Sequence, residues 1–178
     1  MNNYTSLEQQ LSGWIGPSSD TEQDKQERTE RMVREAVAEH APFAQCGLRI
    51  YAKGSYANNT NVRSDSDVDI AVECIEAEYW DEAVSGAHTI KSLYQGIWTP
   101  AKLRGELEAA LEQKFPNSVD PPGSTAIRVH TSSARVDSDV VPCFSYRYYF
   151  AGGSSRVGTK IFNRDGKGVT LPPLADSL

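Results

Sequence analysis

The chain of 178 residues has few cysteines and no long apolar run. Its three cysteines, Cys46, Cys74 and Cys143, include no Cys-x-x-Cys pair, which argues against a disulfide framework and against a zinc knuckle. No apolar stretch approaches the roughly 20 residues that a membrane span needs. The start, Met1-Asn2-Asn3-Tyr4, lacks the basic and apolar parts of a secretory signal. We therefore expect a cytoplasmic protein with no membrane partner.

Basic residues are also scarce: 18 Lys and Arg stand against 24 Asp and Glu, for a net charge of -6. Proteins that grip long nucleic acids usually carry a basic face, and this composition gives no sign of one. An acidic balance is compatible with a nucleotide substrate, because carboxylates that hold magnesium contribute to it. The length and the 39% hydrophobic content are typical of one compact domain.

The order of the predicted elements indicates an α+β fold with a mixed or antiparallel sheet packed against helices. Residues 1–19 are predicted to form a short helix and a loop, and residues 20–178 the core. A capping box at Ser19-Asp20-Thr21-Glu22 predicts a helix to about His40. The other predicted elements are strands at 48–52, 67–73, 126–130 and 134–141, a helix from Thr99-Pro100, a loop at 116–124 and a hairpin around Asp165-Gly166.

Asp67 and Asp69 are the first candidate site residues. In a strand, residues two apart point to the same face, so the two carboxylates would lie side by side. Adjacent carboxylates repel each other unless a cation neutralises them, and magnesium readily accepts carboxylate and phosphate oxygens. Taken alone, an Asp-x-Asp pair is more often two solvated acids on an edge strand.

Gly54 and Ser55 precede this pair by about a dozen residues. Gly54 can take backbone conformations that other residues resist, and free amide groups with the Ser55 hydroxyl would cradle a phosphate. Arg63, in the intervening loop, is a candidate clamp for a triphosphate, although a solvated loop arginine is the plainer interpretation. Lys53 is expected to point away from the site, because neighbours alternate in a strand.

A third acid is offered by the segment 135–142. Asp137 and Asp139 share one face of the predicted strand, so this strand too presents a carboxylate pair. Such a carboxylate could complete a two-metal site or accept the proton of an attacking hydroxyl. A merely polar strand face is the alternative for either residue.

The combination Gly54-Ser55, Asp67-Val-Asp69 and Asp139-Val-Val-Pro142 resembles the nucleotidyltransferase superfamily that includes DNA polymerase beta. It more closely resembles the cGAS/DncV-like nucleotidyltransferases, or CD-NTases, of bacterial anti-phage systems. The likeness covers roughly residues 20–172 and implies a polymerase beta-like nucleotidyltransferase fold. It also implies that Asp139 is the third acid, with Asp137 as the alternative.

The resemblance implies an activity as well as a fold. Two Mg²⁺ ions, or Mn²⁺ in their place, would be held by Asp67, Asp69 and Asp139, and nucleoside triphosphates would be the substrates. Gly54 and Ser55 would hold the donor phosphates. The product would be a cyclic or linear oligonucleotide that activates an effector or regulatory protein encoded nearby.

One departure from the family pattern affects these expectations. Such enzymes normally continue into a C-terminal helical domain that closes over the base, whereas this chain stops at Leu178. We therefore expect a catalytic core without that lid: a natural minimal enzyme, a degenerate copy or a fragment of a longer enzyme. Two rivals remain: a short enzyme that nucleotidylates a protein or an RNA end, as toxin-type nucleotidyltransferases do, and a module that binds nucleotide without turnover.

Overall fold

A computed structural model describes residues 20–53, 67–87, 94–120 and 123–171 of the chain. Its elements follow in this order: α1 (Asp20–Glu39), a 3-10 helix (Ala41–Phe43), β1 (Leu48–Lys53), β2 (Val68–Glu82), α2 (Pro100–Lys114), β3 (Val119–Asp120), β4 (Ile127–Val129), β5 (Ser138–Tyr149), β6 (Ser155–Phe162) and β7 (Gly168–Leu171). The predicted α+β class is confirmed. The expected N-terminal helix lies in residues 1–19, outside the described residues.

The seven strands form one mixed sheet, with the order β1-β2-β5-β4-β3. β2 and β5 are parallel neighbours at its centre, and α2 lies in the connection between them. All other pairs are antiparallel, and β6 joins the second half of β5 and continues into β7. The other strands therefore extend the sheet on both sides of the long β2–β5 pair.

β5 is longer than the sequence predicted and changes its antiparallel partner midway. Its pairs with β4 end at Val140, and its pairs with β6 begin at Cys143. Pro142, which has no amide hydrogen to donate, falls in the gap between the two partners. A proline is thus tolerated in a central strand, and the strand predicted to end at Val141 continues to Tyr149.

β2 also exceeds its prediction, which ended at Glu73. Its register against β5 shifts between Cys74 and Glu78, so the strand contains an irregular segment that the partner strand lacks. The shift breaks the alternation of side chains, so the sequence pattern does not reveal the second half of the strand, which runs to Glu82. Within the predicted loop at 116–124, Val119 and Asp120 form the short strand β3.

Both helices pack on one face of the sheet. Their buried residues are Val33, Ala36 and Val37 of α1 and Leu103, Leu107, Ala110 and Leu111 of α2. They share a core cluster with Val68, Ile70 and Val72 of β2 and with Val140 of β5. Because side chains alternate along a strand, Asp69, Glu73 and Asp139 lie on the opposite face, which we call the acidic face.

α2 begins where the sequence predicts. Thr99 precedes its first residue, Pro100, and the Thr99 hydroxyl accepts a hydrogen bond from the Lys102 amide at 3.2 Å. No helix in the described part of the chain has the length and apolar character that a membrane span requires.

Candidate metal and nucleotide site

The register of the sheet brings two of the predicted acids together. Asp69 of β2 is the direct parallel partner of Asp139 of β5. Neighbouring strands lie about 4.8 Å apart, so the two side chains leave adjacent backbone positions on the same face. Lys53 flanks Asp69 on β1, and Arg128 flanks Asp139 on β4. Two acids thus stand side by side between two cations.

Electrostatics set Asp69 apart from an ordinary surface aspartate. Partial desolvation, together with the negative charges of Asp139 and then Asp67, raises the pKa of Asp69 above its usual value, and Lys53 opposes the rise. Within the described residues, neither Asp69 nor Asp139 accepts a hydrogen bond from the protein. The pair is therefore a concentration of negative charge that its described neighbours do not fully compensate.

Asp67 lies just before β2 and faces a cation of the protein itself. The Arg128 Nη2 donates to its Oδ2 at 2.8 Å. The charges of Asp67, Asp139 and Asp137 raise the pKa of Arg128, with Asp67 contributing most. Arg128 therefore neutralises part of the acidic group.

Asp137, the alternative third acid, has different surroundings. It precedes β5, and its carboxylate accepts a hydrogen bond from the Thr131 amide. Arg128 Nη2 lies 3.5 Å from one of its oxygens, and His130 Nδ1 lies 3.9 Å from the other. These contacts fix the loop after β4, so the geometry favours Asp139 as the partner of Asp69.

Lys53 does not point away from the site as expected. The strand continues through Lys53 without a break, and the register places it opposite Asp69. Its Nζ donates a hydrogen bond to the Thr159 hydroxyl of β6 at 3.0 Å. Lys53 and Arg128 are site residues that sequence reasoning missed. For Arg128 a signal existed, since it lies between the apolar Ile127 and Val129 and must face away from the core.

The predicted phosphate-binding residues Gly54, Ser55 and Arg63 lie outside the described residues, so their placement stays a prediction. Among the residues that are described, no group of three or more His, Cys, Asp or Glu side chains is arranged to hold a metal ion as it stands. The donor set nonetheless fits a divalent cation. Asp69 and Asp139 offer carboxylate oxygens that accept no hydrogen bond from a described residue, and such oxygens are the ligands that Mg²⁺ and Mn²⁺ accept.

The third carboxylate of the acidic face, that of Glu73, has its hydrogen-bond donors within the protein. Glu73 is buried and accepts hydrogen bonds from Arg49 Nη2 at 2.8 Å, Tyr51 Oη at 3.0 Å and Ser145 Oγ at 2.8 Å. These donors come from β1 and β5, on either side of β2. The network ties together the three strands that carry Lys53, Asp69 and Asp139.

Known proteins share this arrangement of sequence and fold. No protein-family model matches the chain. It is 37% identical over 171 residues to a cyclic dipyrimidine nucleotide synthase, CdnE, of Cecembia lonarensis, covering 96% of this chain and 57% of the relative. It is 33% identical over 172 residues to a cyclic dipurine nucleotide synthase of Elizabethkingia meningoseptica, covering 93% of this chain and 57% of the relative.

A solved structure agrees with the sequence comparison. The fold matches the CdnE cyclic dinucleotide synthase of Elizabethkingia meningoseptica, solved with GTP and Apcpp, with a TM-score of 0.68 and 30% identity. The match covers 93% of this chain and 55% of that one.

The fold is that of a CD-NTase nucleotidyltransferase core, which confirms the fold family predicted from the sequence. Within that class the chain belongs to the CdnE family of cyclic nucleotide synthases. It spans about half the length of the curated relatives it matches.

Proposed function

We propose that the chain is a magnesium-dependent nucleotidyltransferase core that joins nucleoside triphosphates into a cyclic or linear oligonucleotide. In this proposal the product serves as a second messenger in anti-phage defence and acts on an effector or regulatory protein encoded nearby. The relatives that are named for their products differ between dipyrimidine and dipurine nucleotides. We therefore propose the reaction and do not specify which bases the substrates carry.

One observation carries the proposal: Asp69 and Asp139 are direct partners on parallel strands, and neither accepts a hydrogen bond from a described residue. Repulsion between two such carboxylates is relieved by a divalent cation. A triphosphate brings further negative charge, which the same cation can share. The geometry thus favours a site for a metal and phosphate over a structural ion pair.

The roles of the chain's own residues follow from their positions. Asp69 and Asp139, with Asp67 released from Arg128, would hold the metal, for which Mn²⁺ can substitute. When two such ions are bound, they neutralise the triphosphate and lower the pKa of the acceptor hydroxyl. The rigid β2–β5 pair fixes the distance between Asp69 and Asp139, so positioning and charge neutralisation supply most of the catalysis.

We assign the donor phosphates to Gly54, Ser55 and Arg63, which lie in the sequence between β1 and β2. Lys53 is the last residue of β1, directly before Gly54, and faces Asp69. A cation at this position can screen the acids from a phosphate that approaches them. Lys53 therefore joins the proposed phosphate side of the site.

The test is incubation of the purified chain with labelled ribonucleoside triphosphates and Mg²⁺, or Mn²⁺, followed by separation of the products. We expect cyclic or linear oligonucleotides and loss of product, by about 10²- to 10³-fold, in Asp67→Ala and in Asp69→Ala. Asp165→Asn, a neutralisation in the exposed turn between β6 and β7, is the matched control and should keep full turnover.

The outcomes separate the rival functions. Label transferred to an added protein or RNA would favour the nucleotidylating enzyme, and saturable triphosphate binding without product would favour the binding module. Full activity in both aspartate variants would refute the site assignment. Unchanged circular dichroism spectra establish that the variants fold.

A further inference from the structure

Arg128 is the one cation among the described residues that contacts Asp67, and it does so from the strand next to Asp139. Its guanidinium lies 2.8 Å from Asp67 and 3.5 Å from Asp137. Its side chain is 41% exposed and that of Asp67 is 38% exposed. The contact is therefore accessible to water and ions, and it can open without unfolding the strand.

The Arg128 guanidinium and a divalent cation cannot both take Asp67 Oδ2 at full strength. Resting on the proposed function, we infer that Arg128 is a positioning residue that competes with the divalent cation for Asp67. It holds the acid oriented while the metal is absent and gives it up when the metal binds. Arg128 thereby sets the metal affinity of the site.

The alternative role for Arg128 is a plain structural strut. Its contacts with Asp67 and Asp137 join the start of β2 to the segment before β5, and the Val68 amide donates to the Asp137 carbonyl at 3.0 Å in the same place. A strut would affect thermal stability but would not tighten metal binding when it is removed. The two roles therefore predict opposite results for metal affinity.

The experiment measures Mn²⁺ binding without nucleotide, by electron paramagnetic resonance of the free ion. In Arg128→Gln we expect the Kd for Mn²⁺ to fall about five- to tenfold, because one positive charge beside the acids is lost and Asp67 is freed. Arg128→Lys keeps the charge but loses the planar fork, so a smaller fall is expected. Arg156→Gln is the matched control, because Arg156 is exposed on β6 and its register partner is Tyr148, roughly 30 Å along β5 from Asp139.

A double variant tests whether the effect acts through Asp67. In the Asp67→Asn background, Arg128→Gln should lower the Kd by a clearly smaller factor, because only the positive charge beside Asp139 is then lost. A fall as large as with Asp67 present would show that Arg128 does not act through Asp67. Equal or weaker Mn²⁺ binding in Arg128→Gln, with wild-type binding intact, would overturn the inference and leave the proposed function standing. If neither protein bound Mn²⁺, the proposed metal site would fail and the inference with it. Melting curves for each variant report its folding.

Discussion

Glu73 and Asp69 are two carboxylates on the same strand and the same face, and their surroundings are opposite. Glu73 is 1% exposed and receives hydrogen bonds from Arg49, Tyr51 and Ser145. Asp69 is exposed, lies beside Asp139 and accepts no hydrogen bond from a described residue. Among the described residues, the protein supplies hydrogen-bond donors to Glu73 and supplies none to Asp69.

We call Glu73 the structural acid and, following the proposed function, Asp69 the functional acid. A buried carboxylate persists only when donors replace the water it loses. An exposed pair of like charges costs stability in the absence of a cation, and such a cost is typical of binding sites. Removing each acid should therefore have opposite effects on stability.

The largest expected effect is on the structural acid. Glu73→Ala leaves the Tyr51 and Ser145 hydroxyls without their acceptor and opens a cavity between three strands, so we expect a loss of about 3 kcal/mol. Arg49 limits the loss, because its side chain is 62% exposed and can return to water. Urea unfolding of the variant and the wild type measures the loss. An unchanged midpoint would show that the network does not hold the strands.

Much of the fold could be predicted from the sequence where the signal is local. Thr99-Pro100 marks the start of a helix by its own chemistry, and Asp165-Gly166 marks a turn. The predicted strand starting near Leu48 is likewise confirmed. The second halves of β2 and β5 were missed, because a register shift and Pro142 interrupt their patterns.

The site could be predicted only in part, because its assembly is not local. The alternation of residues places Asp67 and Asp69 on one face of a strand. Only the parallel pairing of β2 with β5, which are far apart in sequence, makes Asp139 the neighbour of Asp69. Arg128 and Lys53 enter through register on the outer strands. Such long-range pairings leave no trace in residue spacing, so the sequence places neither cation beside the acids. The position of Arg128 between two apolar residues indicates only that it faces away from the core.

A smaller effect of opposite sign is expected for the functional acid. Asp69→Asn removes a charge beside Asp139 and Asp67, so without divalent cations the variant should be more stable by about 0.5–1 kcal/mol, or roughly 2 °C. Addition of Mg²⁺ should stabilise the wild type more than the variant, because it binds the folded site. Differential scanning fluorimetry measures both. Asp165→Asn, which changes an exposed turn, should match the wild type within about 0.5 kcal/mol.

The smallest effect is the pH dependence of that difference. The pKa of Asp69 is raised in the folded protein, so its ionisation opposes folding. The wild type keeps its full stability below the pKa of Asp69 in the unfolded chain, about 3.9. It loses part of that stability as the pH rises through the higher pKa of Asp69 in the folded protein. Wild type and Asp69→Asn should therefore melt together at low pH and separate as Asp69 ionises, in buffer without metal. If the difference in melting temperature between the two proteins narrowed with rising pH, the attraction of Lys53 for Asp69 would exceed the repulsion from the neighbouring acids. Asp69 would then be neutralised by the protein, as Glu73 is.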